Sequence, residues 1–71
     1  MASAVPAQVR LANEIAVQFH HRPADEAASA IANHIRMFWA PSMRTDLLTR
    51  AETDTAYLDP LVLEALRLLR N

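Results

Sequence analysis

The sequence predicts a small all-α protein, a bundle of three to four helices. Its 71 residues include no glycine, and strand signals, meaning period-two alternation bounded by Gly or Asn turns, are missing. Apolar residues instead recur at spacings of three and four, as on one face of a helix. Prolines divide the chain into segments of helical length and stand at Pro6, Pro23, Pro41 and Pro60. We expect one helical domain over 9–71, preceded by a variable N-terminal end over 1–8.

The first segment predicts a helix from about Pro6 to His20. At about 100° per residue, one face collects most of its apolar side chains, and this is the pattern of an ordinary amphipathic helix packed on a core. The predicted core face consists of Leu11, Ala12, Ile15, Ala16 and Phe19.

The second segment predicts a helix from Ala24 to Trp39. Because the connection through 20–23 is short, we expect this helix to fold back antiparallel on the first. Small apolar residues begin its core face and large ones end it, so we place an exposed hydrophobic surface at its Phe38 and Trp39 end. The predicted face is Ala24, Ala28, Ile31, Ile35, Phe38 and Trp39.

A third, short helix is predicted from Pro41 to about Ala51, because Ala40 precedes a proline and is disfavoured in the α conformation. Its apolar side contains Arg44 among Met43, Leu47, Leu48 and Ala51. This arginine could lay its methylenes on the core with its head in water, or it could aim its charge at a carboxylate across an interface.

A polar loop is predicted over 52–56. After it, Asp59 is the predicted N-cap of the last helix and Pro60 its first helical residue. The last helix should run from Pro60 to about Arg70. Its apolar stripe covers roughly 160°, wider than one helix of a small bundle needs. Leu63 and Leu66 are therefore candidate interface residues, although both could simply contact the bundle.

The composition favours a protein that binds another protein. Hydrophobic residues make up 52% of the chain, more than so small a domain can bury, and no cysteine is present to stabilise it by a disulfide. The net charge is −1, and the seven basic residues are scattered arginines, a poor pattern for binding nucleic acid. No apolar run approaches the roughly 18 residues of a membrane span, so we expect a cytoplasmic protein.

Residues arranged for catalysis or for metal or cofactor binding are not apparent. There is no glycine for a phosphate-binding loop, no cysteine nucleophile, and no pair of histidines at the i, i+4 spacing of a metal site. His34 stands alone, and a lone histidine is more often packed than metal-bound. We therefore expect no catalytic, cofactor-binding or metal-binding residue in this chain.

Three stretches give the chain a family resemblance. They are 10–16, Arg-Leu-Ala-Asn-Glu-Ile-Ala; 34–44, His-Ile-Arg-Met-Phe-Trp-Ala-Pro-Ser-Met-Arg; and 58–62, Leu-Asp-Pro-Leu-Val. With them the chain resembles the delta subunit of cytoplasmic, NAD-dependent, molybdenum-containing formate dehydrogenases over about 9–67. The middle stretch departs from the usual family pattern at Met37, Ala40 and Ser42, where charged residues are more common.

The resemblance implies a non-catalytic accessory subunit of a complex that oxidises formate to carbon dioxide with NAD as acceptor. The partners would be the catalytic alpha subunit, which this chain stabilises or helps to assemble with its cofactors, and the beta and gamma subunits. The molybdenum bis-pterin guanine dinucleotide and most iron–sulfur clusters would lie on alpha, and the FMN on beta. Large apolar residues beside an arginine are typical of interface hot spots, and the predicted anchors are Phe38, Trp39, Met43 and Arg44.

Two alternatives remain open at the level of sequence. Residues 24–39 and 41–51 could form a helix-turn-helix DNA-binding module, although its second helix would offer only Arg44 and Arg50 against Asp46. The chain could also be a cofactor-insertion chaperone that leaves the mature enzyme.

Overall fold

Four α-helices and one short 3₁₀ turn make up the computed structural model, which describes residues 6–53 and 55–70. The helices are α1 (Ala7–Val17), α2 (Ala24–Phe38), α3 (Pro41–Ala51) and α4 (Pro60–Arg70), with the 3₁₀ turn at Thr55–Tyr57. No strand occurs in the described stretches, so the predicted all-α class is confirmed. Residues 1–5 of the predicted variable end, 1–8, lie outside the described residues.

Proline and its neighbours set the starts of the helices. Pro6 and Pro23 directly precede α1 and α2 in an extended conformation, whereas Pro41 and Pro60 are the first residues of α3 and α4. Ala40 has ψ of 149°, as expected for a residue before proline. Since the chain has no glycine to cap a helix in the left-handed conformation, α1 ends in a right-handed turn in which Gln18 N–H donates to the Ile15 carbonyl.

The main packing partner of α2 is α4, not α1. The expected fold-back of α2 onto α1 amounts to only a small contact, and α1 lies chiefly on α3 and α4. Ala32, a small buried residue of α2, lies in the same core cluster as Val62, Ala65 and Leu66 of α4. Of the wide apolar stripe of α4, Val62, Ala65 and Leu66 are buried in the core, and Leu61, Leu63, Leu68 and Leu69 are partly buried against it.

The buried core differs from the predicted faces at several positions. In α1, Val9 is fully buried while the predicted Leu11 is exposed, and in α2 the predicted Ala24 is exposed while Ala27 is buried. The shift follows from tertiary packing, because α1 turns toward α3 and α4 and α2 turns toward α4. The connected core is Val9, Ala12, Ala16, Ile31, Ala32, Ile35, Trp39, Leu47, Ala51, Leu58, Val62, Ala65 and Leu66.

A set of hydrogen bonds centred on Asn13 fastens α1 to the start of α4. The Asn13 side-chain amide donates to the Tyr57 carbonyl at 2.7 Å, and the Asp59 backbone N–H donates to Asn13 Oδ1 at 2.8 Å. Asp59 Oδ1 then accepts from the Leu61 N–H at 2.9 Å, which confirms the predicted N-cap. Asp59 Oδ2 lies 2.6 Å from His20 Nε2. These bonds hold the loop before α4 against α1.

We expect Asn13→Ala to lower the free energy of unfolding by about 2 kcal/mol, because it leaves the Asp59 N–H and the Tyr57 carbonyl without their partner. Urea unfolding followed by circular dichroism measures the effect. The matched control is Glu14→Ala, an exposed change on the same helix that should stay within about 0.5 kcal/mol of the parent. Equal midpoints for the two variants would show that the Asn13 bonds contribute nothing.

Candidate functional site

The corner between α2 and α3 separates two neighbouring aromatic residues. Phe38 is the last residue of α2, whereas Trp39 is extended, with φ of −94° and ψ of 139°, and donates its backbone N–H to the Ile35 carbonyl at 2.9 Å. Phe38 is 70% exposed and Trp39 only 9% exposed. The corner therefore directs one large side chain outward and the other into the core.

An exposed apolar surface covers the outer side of this end of α2. Met37 is 75% exposed, and the Phe38 ring lies against the half-buried His34 ring with the centroids 4.9 Å apart. We call His34, Met37 and Phe38 the α2 apolar patch. Exposed aromatic and methionine side chains adapt well to a partner surface, so this patch has the character of a binding site for another protein.

A groove of about 220 Å³ lies where the end of α2 meets α3 and α4. We call it the arginine groove, and its lining residues are Arg36, Pro41, Arg44, Thr45, Leu48 and Leu69. Around the axis of α2, Arg36, Met37 and Phe38 project at successive steps of about 100°, so Met37 lies between the other two on an outer arc of about 200°. A partner that covers the outer end of α2 could therefore reach both the patch and the groove.

Two of the seven arginines, Arg36 and Arg44, line this groove. Arg36 donates to the neutral Asn33 side-chain oxygen at 3.0 Å, and the side chain of the half-buried Arg44 has no hydrogen bond or ion pair with any residue of 6–53 or 55–70. Neither is paired with a carboxylate there. The groove consequently presents positive charge beside apolar walls.

Two arginines elsewhere are neutralised within the chain. Arg50 Nε donates to Asp46 Oδ2 at 2.9 Å, and Arg67 Nε donates to Glu64 Oε2 at 2.8 Å. The hydrogen bond from Arg67, together with its charge, holds the pKa of the Glu64 carboxyl below its usual value. On α3 the DNA-binding alternative is thus left with Arg44 alone, since the other arginine of that helix is paired.

The predicted anchors fall into different environments. The expectation that Trp39 lies on an exposed surface is wrong, because its side chain completes the core at the end of α2; Phe38 is exposed as expected. Arg44 is half-buried and lines the groove, whereas Met43 is partly buried against the core. Contact of these residues with a partner stays a prediction.

On α4, Leu66 is 1% exposed and belongs to the core, while Leu63 is partly buried against it. In the isolated chain Leu66 has almost no surface to offer, since α4 turns it toward the other helices. Of the two, only Leu63 retains accessible surface for a partner.

Sequence reasoning missed Arg36 and Met37. Met37 could have been found, because it is a large apolar residue outside the stripe formed by Ala28, Ile31 and Ile35. Arg36 could not, since its proximity to α3 and α4 depends on how the helices pack.

Metal-binding clusters and membrane-spanning helices are both absent from the described ranges 6–53 and 55–70. No group of three or more histidine, aspartate or glutamate side chains is placed to hold a metal ion. No helix there has both the length and the apolarity to cross a membrane.

Comparison with known proteins identified one family. The sequence model described as "NADH-dependant formate dehydrogenase delta subunit FdsD" matches residues 8–66. No curated protein and no solved structure matched significantly. The matched region includes all of α2 and α3 and most of α1 and α4.

Proposed function

The chain belongs to the FdsD family of NADH-dependent formate dehydrogenase delta subunits, and we propose that it is a non-catalytic accessory subunit that binds and stabilises the catalytic alpha subunit or aids its cofactor-loaded assembly. A delta subunit associates with other subunits of its enzyme. The family match over residues 8–66 is the observation that carries the proposal. The beta and gamma subunits would complete the same cytoplasmic complex.

The proposed docking surface is the outer end of α2 together with the first turn of α3. Phe38 and Met37 supply exposed apolar area, and Arg44 supplies a charge without a carboxylate partner in the described chain. Aromatic, methionine and arginine side chains are enriched at protein interfaces. Aromatic residues and arginine are also enriched among the hot-spot residues that supply most of the binding energy. This combination supports a site for a protein partner.

The cofactors of the holoenzyme are proposed to lie on other subunits. The molybdenum bis-pterin guanine dinucleotide and most iron–sulfur clusters would be held by alpha, and FMN by beta. This chain has no cysteine thiolate to ligate an iron–sulfur cluster. Its contribution to formate oxidation would therefore act through the stability or assembly of the alpha subunit.

The test is co-expression of affinity-tagged alpha subunit with and without this chain. We expect the chain to co-purify with alpha through gel filtration, and alpha to show a higher molybdenum content or thermal midpoint when the chain is present. Alpha that neither retains the chain nor changes in either measurement would refute the proposal. Quantifying the chain in fully active enzyme separates a permanent subunit, present at constant stoichiometry, from an assembly factor that leaves.

A further inference from the structure

We propose that the arginine groove binds an acidic and apolar peptide segment of another subunit. One carboxylate of that segment lies between Arg36 and Arg44, and an adjacent apolar side chain packs on Leu48 and Leu69. This inference names the chemistry of the partner at the docking surface, and it rests on the proposed function insofar as the partner is a subunit of the same enzyme.

The charge distribution provides the first step. Of the seven arginines, only Arg50 and Arg67 have a carboxylate partner within the described residues. Arg36 has a neutral amide oxygen, the side chain of Arg44 has no hydrogen-bond partner there, and these are the two arginines that line one groove. Arg44 also stands in the first turn of α3, where the helix dipole disfavours a cation. Neither its own helix nor a neighbouring carboxylate accounts for an arginine there, so an anion from outside the chain is the missing partner.

The walls of the groove provide the second step. Pro41, Leu48 and Leu69 are apolar residues of the groove that Arg36 and Arg44 also line. Arginine suits this setting because its planar fork binds a carboxylate with two parallel hydrogen bonds and is less strongly hydrated than lysine. Such a site matches a carboxylate that is followed or preceded by an apolar side chain.

The size of the groove provides the third step. Its volume of about 220 Å³ is below the roughly 300–1,000 Å³ of pockets that enclose small molecules and cofactors. One or two side chains of a peptide fit this space better than a nucleotide would.

A nucleic acid is disfavoured by the surroundings. The chain carries a net charge of −1, and on α3 and α4 the carboxylates of Asp46 and Glu64 lie close to Arg50 and Arg67. A phosphate backbone needs an extended row of cations, whereas this site offers two arginines beside apolar walls.

Charge reversal tests the inference in the assembled enzyme. Arg36→Glu and Arg44→Glu are each expected to raise the Kd for the formate dehydrogenase complex lacking this chain by about tenfold or more, because attraction is replaced by repulsion. The double variant should raise the Kd by less than the product of the two single-variant factors, since both arginines bind the same carboxylate. The matched control is Arg10→Glu, an exposed α1 position outside the groove, with circular dichroism confirming that every variant is folded.

A photo-crosslinking amino acid at Thr45, an exposed residue of the groove wall, identifies the occupant directly. We expect a crosslinked peptide from another subunit with an aspartate or glutamate next to an apolar residue. A crosslink to a second copy of this chain, or to a peptide without a carboxylate, would overturn the inference. The inference would also be overturned if inorganic phosphate stabilised the parent chain thermally, if Arg36→Glu and Arg44→Glu abolished that stabilisation, and if both variants still bound the complex with the parent's Kd.

The binding measurements on the charge-reversal variants separate the groove inference from the proposal that this chain binds the alpha subunit. If the parent chain binds the complex and Arg36→Glu, Arg44→Glu and Arg10→Glu all bind it with the same Kd, the groove inference alone is overturned. Binding to the complex but not to isolated alpha overturns the choice of alpha, while the groove is still judged by the charge reversals. No binding to either preparation overturns both.

Discussion

Trp39→Ala is expected to unfold the isolated chain. Truncating a buried tryptophan to alanine costs about 3–5 kcal/mol, and a domain this small stands near the lower end of the 5–15 kcal/mol typical of folded proteins. Trp39 is a core residue at the end of α2 and lies in one cluster with residues of all four helices. Loss of cooperative thermal unfolding, followed by circular dichroism, is the measurement.

Phe38→Ala is the matched control for stability, because it removes an aromatic ring from the adjacent position where 70% of the residue is exposed. It should leave the thermal midpoint close to that of the parent. If Trp39→Ala unfolded with the parent's midpoint and cooperativity, the burial of its ring would not contribute to the fold. Because we expect Trp39→Ala to be unfolded, its release from the enzyme would report loss of the fold and would not identify a contact with the partner.

Phe38→Ala is expected to weaken binding to the enzyme by about thirtyfold, the equivalent of the roughly 2 kcal/mol that defines a hot-spot residue. The physical reason is the loss of the largest exposed side chain of the α2 apolar patch, whose ring would be desolvated against the partner. Biolayer interferometry with the complex lacking this chain measures the change in Kd.

The control for this binding prediction is Val17→Ala, which shortens an exposed apolar side chain at the end of α1. We expect its Kd to remain within about threefold of the parent value, as for an interface-neutral change. A folded Phe38→Ala that binds as tightly as Val17→Ala would remove the α2 apolar patch from the docking surface.

The three stretches that carry the family resemblance have different structural roles. The first and third meet in the fold, where Asn13 bonds to the backbone at Tyr57 and Asp59 and fastens α1 to the start of α4. The middle stretch, 34–44, forms the corner with Phe38 outside and Trp39 inside, and it contributes Arg36 and Arg44 to the groove. The first and third stretches thus join α1 to α4, whereas the middle stretch contributes Ile35 and Trp39 to the core and also shapes the candidate docking surface.

Local chemistry in the sequence was sufficient for the fold class and for most helix ends. A proline lacks the backbone N–H and restricts the residue before it, so Pro41 and Pro60 mark the starts of α3 and α4 wherever those helices pack. The N-cap at Asp59 likewise depends only on a carboxylate beside the first helical turn. These features require contacts over a few residues and can be predicted from the chain alone.

The burial of individual side chains was decided by tertiary structure. Helical periodicity restricts the buried face to an arc, but the rotation of each helix within that arc depends on its neighbours. The docking of α1 on α3 and α4 buries Val9 rather than Leu11. At the end of α2, the side chain of Trp39 is inside the core and that of Phe38 is outside. Arg36 and Arg44 line one groove for the same reason, because a groove between three helices exists only once all three are assembled.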